Sequence, residues 1–503
     1  MKPERSFVEE ARRANRAALE AAGIAAYAYR YDRTHLAADA GALYQDAKGD
    51  QGPMVAVAGR LAAIRSQGKA MFAHLEDHSG RIQLYFREDA LGAGWATALR
   101  LDLDDIVGVT GTLFRTRTGE ITVRALVLQV LAKSLRPLPR GKIRQTEEGV
   151  TSYSGLTDPE IRYRQRYADL AVHPEVRKVF EARAEAIRFL RRFLDERDFL
   201  EVETPVLQPQ YGGASARPFV THHNALDLPL YLRIADELYL KRLIVGGFEK
   251  VYEIGHDFRN EGMDRQHNPE FTMLEAYQAY ADYSDILELT EAMIAGVVQH
   301  CTGGPGVTVG SAAIDFTPPF ARIGFREAIR ERSGLDPRAA TDPELRDLLV
   351  GSGLSREDAA GMSRPKLLDE VFKQVVERHL VQPTFVMDHP LALSPLARKH
   401  REDEELAERF ELYVNGTEIA NAFSELNDPD DQRVRFADQA RQRAAGDEEA
   451  QVLDADFLRA LEYGMPPTGG VGIGVDRLVM LITGQPSIRD VILFPVMRPE
   501  TGL

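Results

Sequence analysis

The order of strand-like and helix-like segments between residues 54 and 133 constrains the fold of this chain more than any other feature. Five runs of residues are typical of strands, and they are Met54–Ile64, Ala70–Glu76, Arg81–Phe86, Ile106–Arg115 and Glu120–Val130. A helix-like stretch, Ala90–Leu101, lies between the third run and the fourth. Three strands, a helix and two strands is the order of a five-stranded OB barrel, which binds oligonucleotides across one strand face and its loops. We therefore predict an OB barrel over residues 54–133.

The rest of the chain divides into three further parts. Residues 1–53 are predicted to be an N-terminal helical extension, whose helix runs from about Ser6 to Ala22 and is rich in Ala, Arg and Glu. Its arginines, Arg12 among them, either contact an RNA backbone or form a solvated face. Residues 134–173 are predicted to be a linker, because prolines and glycines interrupt a polar stretch there. Residues 174–503 are predicted to form a larger α+β domain that opens with a helix from about Pro174 to Asp198 and contains no βαβ alternation.

Charge and cysteine content exclude several classes of protein. The 503 residues carry a formal net charge of −15, which argues against a non-specific nucleic-acid binder, because such proteins are usually basic. An acidic chain can still take a nucleic acid as substrate through local basic stretches. Cys301 is the only cysteine, which rules out a disulfide within the chain and argues against a cysteine-based zinc site. No apolar run reaches membrane-spanning length and the charged N-terminus has no apolar signal region, so we expect a cytoplasmic protein without a membrane partner.

The stretch from Glu249 to Tyr280 predicts two strands around a polar loop. Alternate residues of a strand share a face, so Phe271, Met273, Glu275 and Tyr277 point the same way. A buried carboxylate without a partner is costly, so a buried Glu275 should meet a cation. The alternative, a half-exposed strand with an outward Glu275, stays open on the pattern alone.

The stretch from Glu408 to Leu426 predicts a hairpin. Asn-Gly at positions 415 and 416 is a strong signal for a two-residue turn. Asn421, Phe423 and Glu425 share one face of the second strand, while Glu411 and Glu418 flank the turn and could hold Mg²⁺ together with substrate phosphates. A regular hairpin would put the two glutamates on the opposite face from the other three residues. Convergence on one site therefore requires a β-bulge or a different turn.

A glycine-rich run from Gly469 to Gly474 precedes Asp476 and Arg477. Its glycines do not have the spacing of a dinucleotide-binding loop, and the surrounding pattern is not βαβ. We predict instead a strand whose backbone a ligand approaches closely, followed by a helix that starts near Asp476. An arginine in the first turn opposes the helix dipole, so Arg477 is expected to serve a ligand.

Three blocks of the larger domain resemble the signature motifs of the class II aminoacyl-tRNA synthetases. The long helix and strand that end at Pro205 resemble motif 1, a dimer-interface element of that family. Phe258–Phe271 resembles motif 2 and Gly472–Arg477 resembles motif 3. The N-terminal barrel is similar to that of the subgroup for aspartate, asparagine and lysine. Three sequences look like the lysine enzymes in particular: Gly212–Phe219, Thr221–Leu226 and Asn421–Asp428.

The resemblance covers essentially the whole chain and implies both a fold and an activity. The implied fold is α+β, with an N-terminal five-stranded OB barrel followed by a class II catalytic domain built on an antiparallel sheet flanked by helices. The implied activity uses ATP to convert L-lysine to lysyl-adenylate and then transfers lysine to the 3′ end of tRNA(Lys). The implied cofactor is Mg²⁺ and the implied assembly is a homodimer.

The resemblance also implies roles for individual residues. Arg259 and Arg477 would be catalytic. The ATP site would comprise Arg259, Glu261, His267, Asn268, Phe271, Glu411 and Arg477, with Mg²⁺ on Glu411 and Glu418. The lysine site would comprise Gly213, Glu237, Arg259, Glu275, Tyr277, Asn421, Phe423 and Glu425. The anticodon readers would be Phe72, Gln83 and Glu120, although from the pattern alone Phe72 is equally a residue of the barrel core.

Two residues depart from the family pattern, and three other functions are possible for a chain with these motifs. Asp236 stands where the lysine enzymes often have Pro, and it either sharpens the preference for the α-ammonium group or faces solvent. Ala422 stands where Gly is common. The rivals are a ligase for aspartate or asparagine, a relative without the barrel that attaches a lysine-like group to a protein, and an inactive RNA-binding protein. The acidic residues of the implied lysine site argue against a ligase for aspartate or asparagine. The presence of the barrel argues against the relative that lacks it. The retained arginines and glutamates argue against an inactive protein.

Overall fold

The computed structural model describes residues 6–44, 52–146, 149–153, 155–444 and 452–500. The chain forms two compact units, Met1–Thr157 and Asp158–Leu503. The boundary falls inside the range that the sequence analysis assigned to a linker, and the four-part division of the chain remains a prediction. Within the described ranges, none of the helices combines the length and the apolar character that crossing a bilayer requires.

The first unit contains the barrel. Its elements in chain order are α1 (Phe7–Ala21), α2 (Ala37–Ala42), β1 (Met54–Gln67), β2 (Ala70–Glu76), β3 (Arg81–Arg87), α3 (Glu88–Leu91), α4 (Gly94–Ala98), β4 (Ile106–Arg115), β5 (Ile121–Ala132), β6 (Lys142–Thr146) and β7 (Gly149–Tyr153). Strands β1 to β5 close in the order β1-β2-β3-β5-β4, with β3 and β5 parallel and the other neighbours antiparallel. The predicted OB barrel is therefore confirmed.

The N-terminal helix is held to the barrel by a buried arginine. Ser6 caps α1 in a capping box with Glu9, which accounts for the start of the helix. Arg12 is buried, donates to the backbone oxygen of Ser134 at 3.0 Å and lies 3.7 Å from Asp104. Arg12 is therefore a structural residue, and the prediction that it contacts RNA or solvent is wrong.

The second unit is a large sheet with helices around it. Its elements are α5 (Pro159–Arg164), α6 (Arg166–Val172), α7 (Pro174–Asp195), β8 (Leu200–Glu201), β9 (Leu207–Gln208), β10 (Val220–His223), β11 (Leu228–Leu232), α8 (Glu237–Val245), β12 (Lys250–Phe258), β13 (Glu270–Ala279), α9 (Tyr283–Thr302), β14 (Gly306–Val309), β15 (Ala312–Asp315), β16 (Ala321–Gly324), α10 (Phe325–Ser333), α11 (Asp342–Gly351), α12 (Arg356–Ala360), α13 (Arg364–Val371), β17 (Thr384–Met387), β18 (Arg409–Val414), β19 (Thr417–Ser424), α14 (Pro429–Ala444), α15 (Ala455–Glu462), β20 (Thr468–Gly474), α16 (Val475–Thr483) and α17 (Ile488–Val491).

Eight strands form the sheet in the order β16-β17-β18-β19-β20-β13-β12-β8. The six central strands are antiparallel, as predicted, and the outermost strand at each edge pairs in parallel with its neighbour. The prediction of an antiparallel sheet flanked by helices is thus confirmed for the central strands.

Side chains alternate along each strand, so the two faces of this sheet carry different residues and have different surroundings. One face, which we call the core face, packs on α7, α9 and α16 and buries residues such as Leu274, Phe410, Ala420 and Ile473. The opposite face, which we call the site face, carries Glu275 and its neighbours. Tight packing of the core face on three helices gives the site face a rigid support.

Candidate active site

Two rows of residues cross the site face from strand to strand. The neighbours in one row are Glu253, Glu275, Gly472, Asn421 and Glu411, and those in the other are Val251, Tyr277, Gly470, Phe423 and Arg409. A cavity of about 1000 Å³ opens over them. Its wall includes every residue predicted to bind ATP, lysine or magnesium: Gly213, Glu237, Arg259, Glu261, His267, Asn268, Phe271, Glu275, Tyr277, Glu411, Glu418, Asn421, Phe423, Glu425 and Arg477.

A β-bulge in the hairpin brings its polar residues to one face. Glu411 pairs with Asn421 and Tyr413 pairs with Glu418, so one extra residue, Ile419, stands in the second strand between these pairs. The extra residue shifts the alternation by one position. Glu418 and Asn421 therefore share the site face although their spacing is odd, which is the irregularity that the sequence analysis required.

The glycines of β20 form the floor of the cavity. A Cβ atom at Gly470 would lie 2.2 Å from Glu425 Oε1 and 2.5 Å from Tyr277 Cε1. A Cβ atom at Gly472 would lie 3.1 Å from Met273 Cε. Only glycine leaves room at position 470 for the acidic and aromatic side chains that line this end of the cavity.

Glu275 is a buried carboxyl group, with 6% of its surface exposed. The half-exposed alternative is therefore excluded. The hydroxyl of Tyr277 donates to Glu275 Oε2 at 3.0 Å, and within the described ranges no cationic side chain forms an ion pair with Glu275. Burial, Asp257 and Glu237 together raise the pKa of Glu275 to about 8.

Lys241, which the sequence analysis missed, lies between two of the predicted lysine-site carboxylates. Its Nζ is 2.5 Å from Glu237 Oε1, contacts Glu425 Oε2 and lies 5.3 Å from the centre of the Phe423 ring. The residue has no exposed surface. The four-residue spacing from Glu237 was visible in the sequence, but this spacing is typical of exposed ion pairs on helices.

Asp236 belongs to a buried acidic cluster behind the cavity. It is fully buried and therefore does not face solvent. Arg233 lies 2.9 Å from Asp236, 2.6 Å from Glu253 and 3.3 Å from Asp257, so a single arginine serves three carboxyl groups. Burial, Asp257 and Glu275 raise the pKa of Asp236 to about 10.

The opposite end of the cavity carries the predicted nucleotide residues. The guanidinium of Arg259 lies 5.0 Å from the centre of the Phe271 ring. Arg477 donates to the backbone oxygen of Glu418 at 2.9 Å and to His267 Nε2 at 3.0 Å. Since arginine can only donate, His267 Nε2 accepts and its Nδ1 donates to Asp264 at 2.8 Å. This chain of contacts fixes the direction in which Arg477 points.

Two other predicted nucleotide residues sit at the rim. Asn268 is buried, donates to the backbone oxygen of Glu270 at 2.6 Å and leaves its Oδ1 without a hydrogen-bond partner in the described part of the chain. Glu261 is exposed in the loop after β12. Both line the cavity beside Arg259.

The two hairpin glutamates have opposite electrostatic settings. Glu411 accepts from Arg409 at 2.5 Å and from the Tyr413 hydroxyl at 2.6 Å. Although burial opposes it, His389 and Arg409 lower the pKa of Glu411 to about 2, so this carboxylate is ionised. Burial and the neighbouring Glu411 raise the pKa of Glu418. Two close carboxylates of this kind fit a hard cation that also binds phosphate oxygens.

Several cavity residues come from the helices inserted between β16 and β17, and the sequence analysis missed them. Lys366, Asp369, Lys373, Glu377 and Arg378 line the cavity beside the hairpin. The last three lie on a π-helical turn, Phe372–Val376, and the short helix that follows it, Glu377–His379. π-helical turns occur often at functional sites, but their register is not visible in a sequence.

The barrel of the first unit carries the predicted anticodon residues on its outer face. Met71, Ala73 and Leu75 point into the barrel, so Phe72 points outward and is not a core residue. Its ring centre lies 4.6 Å from that of Tyr85. Gln83 donates to Glu120 at 2.6 Å, and His74 Nε2 lies 2.9 Å from the same carboxylate. The three predicted residues thus share one surface.

Both units of the chain match known protein families. Residues 158–498 match the family model of tRNA synthetases of class II for D, K and N, and residues 55–131 match that of the OB-fold nucleic acid binding domain. The chain is 54% identical over 484 residues to a lysine–tRNA ligase of Moorella thermoacetica, covering 96% of each chain. The chain belongs to the class II lysine–tRNA ligase family.

Other members of the family are nearly as similar. A lysine–tRNA ligase of Roseiflexus castenholzii is 54% identical over 486 residues, which cover 96% of each chain. That of Pelotomaculum thermopropionicum is 52% identical over 495 residues, which cover 97% of this chain and 94% of the relative. The resemblance seen in the sequence motifs is therefore confirmed over both units, and the lysine–tRNA ligase family accounts for the barrel as well as the catalytic sheet.

Proposed function

We propose that this chain activates L-lysine with ATP and transfers it to the 3′ end of tRNA(Lys). The observation that carries the proposal is the convergence of three buried carboxyl groups, Glu237, Glu275 and Glu425, in the cavity that also holds Arg259 and Arg477. Acidic groups at one end suit an amino acid with two ammonium groups. Arginines at the other end suit its carboxylate and the phosphates of ATP.

Recognition of lysine follows from charge. In this proposal Glu237 and Gly213 take the α-ammonium group, while Glu275, Tyr277 and Glu425 surround the ε-ammonium group. Asn421 and Phe423 line the passage between the two ends. A neutral or acidic side chain would leave buried carboxylates without a cation, at a cost of about 2–5 kcal/mol for each broken pair. This argues against aspartate and asparagine as substrates.

Activation needs no general base, because the attacking carboxylate of lysine is already an anion. It attacks the α-phosphorus of ATP, and pyrophosphate leaves with its pair of electrons. Arg259 would hold the lysine carboxylate next to the α-phosphate, and Phe271 and Arg477 would hold the two faces of adenine. Arg477 and His267 would also bind the terminal phosphates, and Glu261 and Asn268 the adenine edge. The rate then comes from positioning and from charge stabilisation.

We propose Mg²⁺ as the cofactor. Glu411 and Glu418 would hold it, and it would neutralise charge on the triphosphate when bound. Two carboxylates with substrate phosphates are a typical set of magnesium ligands. Two observations support this proposal. The bulge puts both carboxylates on the site face, and Glu411 is ionised.

The second step uses both units of the chain. The terminal ribose hydroxyl of tRNA(Lys) would attack the carbonyl carbon of lysyl-adenylate and release AMP. Phe72 would stack on an anticodon base, and Gln83 and Glu120 would hydrogen-bond base edges. Thr122 donates to Gln83 at 2.8 Å, which would hold the Gln83 amide in one orientation.

A homodimer in the cytoplasm completes the proposal. Exposed apolar residues follow α7, the helix that resembles the family's interface motif, and they are Leu200, Val206, Leu207, Val220 and Leu226. Contiguous exposed apolar patches often mark protein interfaces, so these residues are the ones that a dimer interface would cover in this proposal. The single cysteine, Cys301, suits a reducing compartment.

An ATP–pyrophosphate exchange assay with each of the common amino acids tests the function. We expect exchange with L-lysine, none with aspartate or asparagine, and exchange with L-ornithine weaker by about 10–200-fold, since one methylene group changes binding by about 1–3 kcal/mol. Exchange with aspartate alone, or with no amino acid, would refute the proposal. Charging of tRNA(Lys) with labelled lysine tests the second step.

A further inference from the structure

Lys241 is a buried cation among the acidic residues at the lysine end of the cavity. It lies on α8 one turn after Glu237, so the two side chains are on the same face of the helix. Its ammonium group contacts Glu237 on one side and Glu425 on the other. Glu425 follows β19, so Lys241 joins the helix to the sheet at the bottom of the cavity.

The burial of Lys241 distinguishes it from an ordinary ion pair on a helix. Pairs of this spacing on a helix surface stabilise little, because water screens both charges. Lys241, Glu237 and Glu425 are instead exposed by 0%, 6% and 1%. Removing one partner of a buried set leaves the others without compensation. The contacts of Lys241 therefore fix the two carboxylates in place.

The balance of charges at this end of the cavity also supports a role for Lys241 in the recognition of L-lysine. Glu237, Glu275 and Glu425 bring three negative charges when ionised, and Lys241 brings one positive charge. Arg409 on β18 is bound to Glu411 and Asn421, and the charge of Arg259 also acts on Glu275. Among the three glutamates and Lys241, when all four groups are ionised, the negative charges exceed the positive one by two, which equals the number of ammonium groups on L-lysine.

We propose that Lys241 is a specificity-determining positioning residue, which holds Glu237 and Glu425 at a fixed separation and so selects the length of the amino-acid side chain. The proposal rests on the proposed function, in which Glu237 takes the α-ammonium group and Glu425 the ε-ammonium group. Because one ammonium group of the protein bridges both carboxylates, the distance between their free oxygens is set by the protein and not by the ligand. An amino acid that is one methylene group shorter cannot reach both.

The alternative is that Lys241 only stabilises the packing of α8 on the sheet. In that case its loss lowers the thermal stability but leaves the relative use of lysine and ornithine unchanged. The two roles therefore differ in a ratio of kinetic constants, which does not depend on the fraction of folded enzyme.

The test compares Lys241→Met and Lys241→Arg with the wild-type chain in ATP–pyrophosphate exchange. Arg242→Met is the matched control, because Arg242 lies on the same helix but forms its ion pairs with Asp454, at 2.9 Å, and Asp456 instead of Glu237 and Glu425. For Lys241→Met we expect the KM for L-lysine to rise at least about tenfold, the KM for ATP to change less than about twofold, and the preference for lysine over ornithine to fall by about tenfold. The control keeps the wild-type preference.

A pH profile separates charge from packing. Lys241 faces Glu237 on its own helix and Glu425 after β19, and these two carboxyl groups in turn interact with Glu275 and Tyr277 on β13 and with Arg409 on β18. Without the ammonium group, the carboxyl groups hold protons to higher pH. As the pH is lowered, the kcat/KM for lysine should therefore begin to fall at a higher pH in Lys241→Met than in the wild type. Lys241→Arg keeps the charge but changes its position, so it should keep the wild-type pH profile and still lose preference against ornithine.

The outcomes are distinguishable. If the wild type does not activate lysine, the proposed function fails. If it does, and both Lys241 variants keep the wild-type preference for lysine over ornithine, the role of Lys241 is refuted. Should Lys241→Met not fold, the preference of Lys241→Arg decides alone: a loss supports the role and an unchanged ratio refutes it.

Discussion

At the scale of single residues, Glu275 links the protonation of the cavity to its occupancy. Its pKa near 8 means that the free enzyme holds a proton there at neutral pH. In the proposed lysine site an ammonium group binds the ionised carboxylate, so we expect binding of lysine at neutral pH to release that proton. If Glu275 binds the ε-ammonium group as proposed, its burial makes lysine binding depend on pH as well as on charge.

We expect the kcat/KM for lysine to rise with pH, to reach half of its maximum at about pH 8 and to level off about one pH unit higher, while the KM for ATP stays nearly constant. The sign follows because only the ionised form of Glu275 binds the ε-ammonium group, which itself stays charged to about pH 10. Glu275→Gln should lose this rise and also raise the KM for lysine by at least about tenfold, since it removes one partner of a buried charge pair. An equally steep profile in the Gln variant would contradict the assignment.

The raised pKa of Asp236 links the stability of the folded chain to pH. The pKa of Asp236 is about 10 in the folded chain, against an ordinary value of 3.8. Between pH 3.8 and about pH 10 the folded state therefore holds a proton that the unfolded state has lost, so the free energy of unfolding falls as the pH rises through this range. Asp236→Asn does not titrate. Its free energy of unfolding should exceed that of the wild type by about 1–3 kcal/mol at pH 8 and be similar near pH 4.

Denaturant unfolding at the two pH values checks the effect of Asp236→Asn. Asp198→Asn is the control, because Asp198 is exposed and has a φ of 63°, a conformation that asparagine tolerates. A variant less stable than the wild type at pH 8 would show that the ion pair with Arg233 outweighs the crowding of carboxyl groups.

Single residues also show how far the sequence could go. Strand alternation is a local rule, and it predicted that Phe423 and Glu425 share a face and that Glu275 shares one with Tyr277, whereas the roles of these residues came from the family resemblance. Lys241 and Asp236 were not given their places, because their burial depends on which elements pack against α8, and a sequence does not display packing between distant segments. Buried charged residues are the hardest to place from a sequence, because a sequence pattern assigns charged residues to the surface.

At the scale of elements, the same limit appears in the hairpin. The turn at Asn415-Gly416 and both strands were predicted from propensity and turn chemistry. The extra residue at Ile419 was recognised only as a requirement, because a register shift of one residue leaves no signature in an isolated strand pattern. The π-helical turn that brings Lys373 and Glu377 to the cavity left no sequence signal of its own.

The glycine-rich strand supports a prediction at the element scale. In Gly470→Ala the added methyl group would fall on Glu425 and Tyr277, so the lysine end of the cavity must distort. We expect the kcat/KM for lysine in the exchange reaction to fall about 100-fold or more, because displacements near 1 Å have effects of that size. The KM for ATP should change far less, since the arginines lie at the other end.

A Gly304→Ala variant serves as the control for Gly470→Ala. A Cβ atom at Gly304 meets nothing within 4 Å, so the substitution tests the general effect of replacing a glycine by alanine. Equal losses with lysine in the two variants, or equal losses for lysine and ATP in Gly470→Ala, would show that position 470 does not border the lysine site.

At the scale of the whole molecule, two units divide two tasks. All residues proposed for activation lie in Asp158–Leu503, and all residues proposed to read the anticodon lie in Met1–Thr157. The net charge of −15 disfavours binding of nucleic acid by general attraction. The tRNA must therefore be recognised through specific contacts, among which stacking on exposed aromatic rings does not depend on a positive surface.

Phe72→Ala should therefore weaken the use of tRNA. Stacking of one base on an aromatic ring is worth about 1–3 kcal/mol, so the KM for tRNA(Lys) in aminoacylation should rise by about 5–150-fold. Tyr29→Ala is the control, because Tyr29 is a fully exposed aromatic residue of the same unit outside the barrel strands. The tRNA-free exchange reaction, whose residues lie in the other unit, reports whether each variant is folded. If Phe72→Ala and Tyr29→Ala raised the KM for tRNA equally, the outer face of the barrel around Phe72 would lose its assignment as the anticodon surface, since any exposed ring would then serve as well.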